Sequence, residues 1–139
     1  MMRIFIDTNI LLDLILKREP NYTSIAQVCE LTFRKGDILV ISSLSIVNAH
    51  YIVKKLAQVS ESVIRATLGN ICNTCEIVAL TPTVTMKSLV SAFPDFEDAT
   101  QYFCALENDC NVILTYNKKD FVHSTIPVLT ATEFLTGYK

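Results

Sequence analysis

The chain has 139 residues, half of them apolar, with a formal net charge of −2, five cysteines and only three glycines and four prolines. That length and apolar share suit one domain over residues 1–139 with its own core, and the small net charge excludes the strongly basic class of nucleic-acid binder. The first apolar run stops at Asp7 and no stretch approaches the roughly 20 apolar residues of a bilayer span, so a cytoplasmic chain without signal peptide or membrane contact is expected.

Residues 3–6 read as a short strand that halts at Asp7-Thr8-Asn9, a turn and N-cap cluster opening an apolar helix over 10–16. Pro20 closes that unit. Ile25, Val28 and Leu31 recur at helical spacing over 21–34, and Gly36 stops this helix before a second strand at 38–41. Ser42-Ser43 turns the chain into a helix whose apolar positions are Leu44, Val47, Tyr51 and Leu56, and Ser60-Glu61 opens another that runs to about residue 71. A strand is expected at 76–80, a helix over 84–93 started by Pro82, and a further helix over 97–109 that begins at Glu97-Asp98. Strands at 111–115 and 127–129 and a last helix at 130–135 complete the chain.

Strands separated by helices imply right-handed crossovers, hence a three-layer α/β/α fold around a mainly parallel sheet. Sites in such sheets gather beyond the carboxyl ends of the strands. Asp7 directly follows the first strand, and Asp120 lies in the loop after strand 111–115. Asp98 stands in the first helical turn leading to that strand, where a helix dipole favours an anion. Three carboxylates brought together repel one another unless a hard cation neutralises them, so the cluster points to Mg²⁺ or Mn²⁺ and to hydrolysis of a phosphodiester without a covalent nucleophile.

Other titratable groups read more plainly. Cys72 and Cys75 form a single C-x-x-C without further ligands, and the odd number of cysteines fits free packing thiols. His50 and His123 are expected as packed or surface histidines, Asp95 and Glu97 as exposed helix-start anions, and Asp13 as a residue behind the site or on the surface. Among the cationic doublets, Lys118-Lys119 stands out because it lies between Thr115-Tyr116-Asn117 and Asp120.

The strings Asp7-Thr8-Asn9-Ile10-Leu11-Leu12-Asp13, Asp95-Phe96-Glu97-Asp98-Ala99 and Thr115-Tyr116-Asn117-Lys118-Lys119-Asp120-Phe121 resemble, in order and spacing, three signature segments of PIN domains. The resemblance spans nearly the whole chain. It implies a PIN fold, a Mg²⁺- or Mn²⁺-dependent endoribonuclease, and RNA as substrate. Similarity to VapC-type toxins further implies an antitoxin protein as partner and a homodimer. Asp7, Asp98 and Asp120 take the positions of the family's metal-binding acids, and Thr115 and Asn117 the polar positions beside the last of them.

The sequence departs from the family pattern at Asn48, which aligns with the helical position where active PIN nucleases usually carry Glu. An amide oxygen can coordinate or position a water but brings no charge. The alternative is therefore a PIN-fold module whose nuclease site has decayed and which serves RNA binding or protein association. A receiver domain is disfavoured because Thr8-Asn9 follows Asp7 and Thr81-Pro82 follows Leu80, and a haloacid-dehalogenase-type phosphatase because Asn9 stands where it needs a second Asp.

Overall fold

Two-residue alternation along the central strands sets the layers. In the computed structural model, which describes residues 1–138 and side chains as far as Gly137, β1 (Arg3–Ile6) sends Ile4 and Ile6 to one face and Phe5 to the other. β2 (Ile38–Ser42) divides Leu39 and Ile41 from Val40, and β4 (Val112–Leu114) divides Val112 and Leu114 from Ile113. Both faces are covered, so these strands read as unbroken apolar runs. With β3 (Cys75–Val78) and β5 (Val128–Leu129) they form a five-stranded sheet in the order β3-β2-β1-β4-β5, every pairing parallel.

The Ile4/Ile6 face is packed by α1 (Thr8–Leu16), α2 (Asn21–Lys35), α3 (Ser43–Leu56), α4 (Glu61–Cys72) and α7 (Ala131–Tyr138), through side chains such as Leu11, Val28, Val53, Leu68 and Phe134. On the opposite face, α6 (Phe96–Glu107) lays Tyr102, Cys104 and Ala105 against Phe5, Val40 and Ile113, and α5 (Pro82–Leu89) packs on α6. A 3-10 turn, Lys118–Phe121, adds Phe121 to the same cluster. The expected three-layer α/β/α fold is therefore present. Each fully buried Ile, Leu or Phe contributes about 1.5–3 kcal/mol relative to exposure, so the two clusters hold the sheet from both sides. No helix among the described residues is long and apolar enough to cross a membrane.

Local signals set the helix ends. The side chains of Asp7, Ser42, Ser60, Thr81 and Asp95 each accept a backbone N–H at the start of α1, α3, α4, α5 and α6. Gly36 ends α2 at φ 71°, a left-handed conformation that suits glycine.

Beyond shifts of two or three residues at other element ends, two elements differ from the sequence expectation. α5 stops at Leu89 rather than near residue 93, because Phe93 turns into an aromatic cluster 4.9 Å from the Tyr102 ring and the residue before Pro94 is biased away from helix. In α3 the expected apolar face is largely the outer one: Val47, Tyr51 and Leu56 are 65%, 61% and 64% exposed, whereas Ser45, Ala49 and Val53 are buried. Ser45 goes inward because its hydroxyl is hydrogen-bonded to Thr8 and Gln101, and the small Ala49 one turn on lets α3 approach α1.

Candidate active site

The strand order reverses between β1 and β4, since the chain leaves β1 toward β2 and leaves β4 toward β5 on the opposite side. Loops diverging there open a crevice at the carboxyl edge of the sheet. Asp7 sits on that edge at the end of β1, its N–H donating to Leu114 O at 3.1 Å, and Thr115 follows β4 directly beside it. α6 presents its N-terminal turn, with Glu97 and Asp98, to the same edge. A small cavity of about 170 Å³ lies between them, lined by Asp7, Asn9, Glu97, Asp98 and Asn117, with Leu12 and Ile52 as its apolar wall. Larger grooves of about 490 and 530 Å³ lie between α3 and α4 and beside α2, away from this cluster.

Asp7 is 2% exposed and held from several directions. Its Oδ1 accepts the Thr8 N–H at 2.8 Å, and its Oδ2 accepts the Thr115 hydroxyl at 2.8 Å and the Asn9 amide at 3.3 Å. Asn9 also donates to Thr115 Oγ1 at 3.3 Å, and the Asn117 N–H donates to that same oxygen at 3.1 Å. Asn9 thus ties the first acid to the β4 loop, beyond its expected part in the turn.

Carboxylate oxygens of Asp7, Glu97 and Asp98 all lie within 4.8 Å of one another. Asp98 is only 7% exposed, and among the described residues no hydrogen bond reaches its carboxylate oxygens. Glu97 is half-buried and accepts from Gln101 Nε2 at 3.2 Å. Gln101 is fully buried, its Nε2 also facing Ser45 Oγ at 2.6 Å and Thr8 Oγ1 at 3.0 Å, and its Oε1 accepting from Ser42 Oγ at 2.9 Å.

The electrostatics follow from this crowding. Burial pushes the Asp7 carboxyl up to about 6, with Glu97 and Asp95 adding repulsion against the hydrogen bonds from Thr115 and Thr8. Asp98 is pushed up to about 8, by burial first and then by the charges of Asp7, Asp95, Glu97 and Asp120. Glu97 is raised as well, by burial first. Among the described residues no Lys or Arg forms an ion pair with any of the three. An all-oxygen donor set, close-set and uncompensated, with one buried carboxylate lacking a hydrogen-bond donor, fits a hard divalent cation.

The family model described as PIN domain matches residues 3–119. The chain belongs to the PIN domain family. It is 28% identical over 138 residues to Ribonuclease VapC1 of Aquifex aeolicus (strain VF5), a match covering 95% of this chain and 92% of that protein. Among solved structures it resembles a toxin–antitoxin complex from Klebsiella pneumoniae, with a TM-score of 0.65, 25% identity and coverage of 91% of this chain and 96% of the other. The fold also superimposes on VapBC2 from Rickettsia felis bound to a promoter DNA fragment, with a TM-score of 0.68 at 19% identity, covering 92% and 97% of the two chains.

In this PIN domain the sequence-derived residues fall into distinct places. Asp7, Asp98, Thr115 and Asn117 meet at the crevice. Asp120 lies half-buried on the 3-10 turn, close enough to repel Asp98 but outside the group of three oxygens. Asn48 is half-buried on α3, one turn from Ser45 and one turn from Ile52, and so on the side of α3 that faces the crevice, though not in the cavity wall. Lys118 holds Glu133 through both carboxylate oxygens at 2.9 Å, while Lys119 is exposed.

The readings of Glu97 and Asp13 need correction, and those of the histidines and thiols do not. Glu97 is not an exposed anion, because packing of α6 turns its first turn inward; Asp95 is exposed and caps that helix. Asp13 is neither behind the site nor on the surface, but is buried and joins α1 to α2 by accepting from Arg18 Nε at 2.7 Å and Asn21 Nδ2 at 3.0 Å. His50 meets Glu61 at 2.6 Å in a surface network with Lys54 and Arg65, and His123 is exposed beside Phe93. The five thiols are free, and burial pushes the pKa of each of them up, that of Cys110 to about 12. Gln101 and Ser45 had no counterpart in the sequence reading; the signal for Gln101 was a polar side chain one turn beyond Asp98 on an otherwise apolar helix face.

Proposed function

We propose that this PIN domain is a metal-dependent endoribonuclease that acts as the toxin of a toxin–antitoxin pair. The observation that carries the proposal is the meeting of buried, unneutralised Asp7 and Asp98 at the switch point of the sheet. Mg²⁺ or Mn²⁺ would be held by Asp7 and Asp98, with Asp120 adding negative charge from the 3-10 turn. Bound there, the ion supplies charge that polarises a phosphodiester and acidifies a water. Thr115 and Asn9 keep Asp7 in one orientation, and Asn117 lines the cleft where the RNA backbone would lie. Lys119, exposed beside the cleft loop, is the cation placed to meet phosphates, since Lys118 is already paired with Glu133.

The named activity of the Aquifex relative and the toxin–antitoxin complexes of the structural relatives support ribonuclease action and an antitoxin partner. Exposed Val47, Tyr51, Leu56 and Val63 on the outer sides of α3 and α4 offer apolar surface for such a partner or for a homodimer. The test is cleavage of single-stranded RNA in Mg²⁺ or Mn²⁺ by the native chain and by Asp7→Asn and Asp98→Asn, with both variants expected to lose activity. One observation favours a second reading, a decayed module: the crevice-facing side of α3 bears the neutral Asn48. Inertness of the native chain at high Mn²⁺ with cleavage by Asn48→Glu would establish that alternative.

A further inference from the structure

Asn48 leaves α3 without a charged group at the crevice, yet α3 reaches the acid cluster by another route. Ser42 and Ser45, at its N-terminus, both contact the side chain of Gln101, and Gln101 in turn contacts Glu97. We infer that Glu97 is a third metal-binding carboxylate of this PIN domain and that the buried amide of Gln101 is its positioning residue. This rests on the metal-dependent function proposed above.

The amide has one workable orientation. Ser42 Oγ accepts the Ser45 N–H at 3.1 Å as the cap of α3, and its own proton goes to Gln101 Oε1 at 2.9 Å in preference to the more distant Ser45 Oγ at 3.2 Å. The NH₂ group is then turned toward Glu97, whose ionised carboxylate can only accept. Thr8 Oγ1 and Ser45 Oγ lie 2.8 Å apart and can satisfy each other, which leaves an amide proton for Glu97. Gln101 is fully buried and fixed from both sides, so the Glu97 carboxylate is held against Asp7 and Asp98 rather than swung into solvent. A second observation points to a ligand in the same cavity. Asp98, a residue only 7% exposed, lines it, and among the described residues no hydrogen bond reaches its carboxylate oxygens, which open into the cavity. Neighbours that orient a metal-binding group typically alter metal affinity about 10–100-fold when removed.

The experiment is calorimetric titration of Mn²⁺ into the full chain and into Asp7→Asn, Glu97→Gln, Gln101→Met and the Glu97→Gln/Gln101→Met double variant, each checked by its Tm. Methionine keeps the length of the glutamine, and the three hydroxyls around it can still pair among themselves. The Mn²⁺ Kd is expected to rise about tenfold or more in Glu97→Gln and about tenfold in Gln101→Met, in variants whose Tm shows them folded, with the double variant no weaker than Glu97→Gln alone. That non-additivity would show Gln101 acting through Glu97, which a merely structural role would not produce. Loss of binding in Asp7→Asn with Glu97→Gln within twofold of the native chain overturns the inference and leaves the nuclease proposal standing. Independent, additive losses in the double variant remove the positioning role of Gln101. Should Gln101→Met fail to fold, the Glu97→Gln arm alone decides whether Glu97 binds metal. Binding unaltered in Asp7→Asn as well brings down the metal-dependent proposal itself.

Discussion

Replacing Asp98 by Asn should make the metal-free protein more stable at neutral pH. A carboxyl whose folded-state pKa lies above its unfolded value keeps a proton in the native state that the unfolded chain has already released. Its stabilising contribution is complete below about pH 4 and is lost as pH rises toward the folded-state value, about 6 for Asp7 and about 8 for Asp98. From pH 5 to pH 7.5, Asp98 holds close to one extra proton in the native state, and at about 1.4 kcal/mol per pH unit this lowers stability by roughly 3 kcal/mol. That is a large share of a typical 5–15 kcal/mol. Glu61 is shifted the other way, held down to about 2 by Lys54, His50 and Arg65, so its effect falls at more acidic pH. The assay is urea unfolding of the native chain and Asp98→Asn in EDTA at pH 5 and 7.5. Comparing the two proteins cancels whatever the rest of the chain contributes to the pH dependence. The variant should match the native chain at pH 5 within about 1 kcal/mol and exceed it by roughly 3 kcal/mol at pH 7.5. A stability gap that does not grow with pH would refute the placement of Asp98 in a buried, uncompensated acid cluster.

Further outcomes follow from the same geometry. Millimolar Mn²⁺ should raise the Tm of the native chain at pH 7.5 and leave that of the Asp7→Asn/Asp98→Asn double variant unchanged, as ligand binding to the folded state alone requires; an equal rise in both would mean that the ion binds elsewhere. Asn48→Glu should tighten Mn²⁺ binding and raise RNA cleavage, because it adds a carboxylate to the crevice-facing side of α3; unchanged affinity would place the residue out of reach. Lys119→Ala should weaken RNA binding and flatten its salt dependence more than Lys118→Ala does, since Lys118 already engages Glu133; the reverse order in filter-binding titrations would contradict that assignment. Val53→Ala should cost about 2 kcal/mol in urea unfolding and Tyr51→Ser less than about 0.5 kcal/mol, because α3 buries the first and exposes the second; comparable losses would show that the outer face is covered.

Much of the fold was legible because its signals are local. Strand 3–6 ending at Asp7, the glycine stop at Gly36, the proline start at Pro82 and the apolar run 111–115 each act within a few residues, and each survives in β1, α2, α5 and β4. Asp7 and Asp98 could be located for the same reason, one as the residue after a strand and the other in a first helical turn. Their convergence follows from a parallel sheet whose order reverses between β1 and β4.

What the sequence determined by itself was therefore the alternation of strands and helices and the two acids that such an alternation must deliver to one edge. Tertiary structure decided which side of each helix turns inward. α3 buries Ser45 and Ala49 and exposes Val47 and Tyr51, against its apolar pattern, because a hydroxyl that finds partners in Thr8 and Gln101 loses little by leaving water, while a small residue permits close approach. The same packing turns Glu97 toward Asp7 and leaves Asp95 in solvent, although both are acids in the same turn of chain. Burial of a polar side chain depends on partners far away in sequence, Gln101 on Thr8 and Ser42 above all; its place on an apolar helix face is a local signal, but the identity of those partners is not.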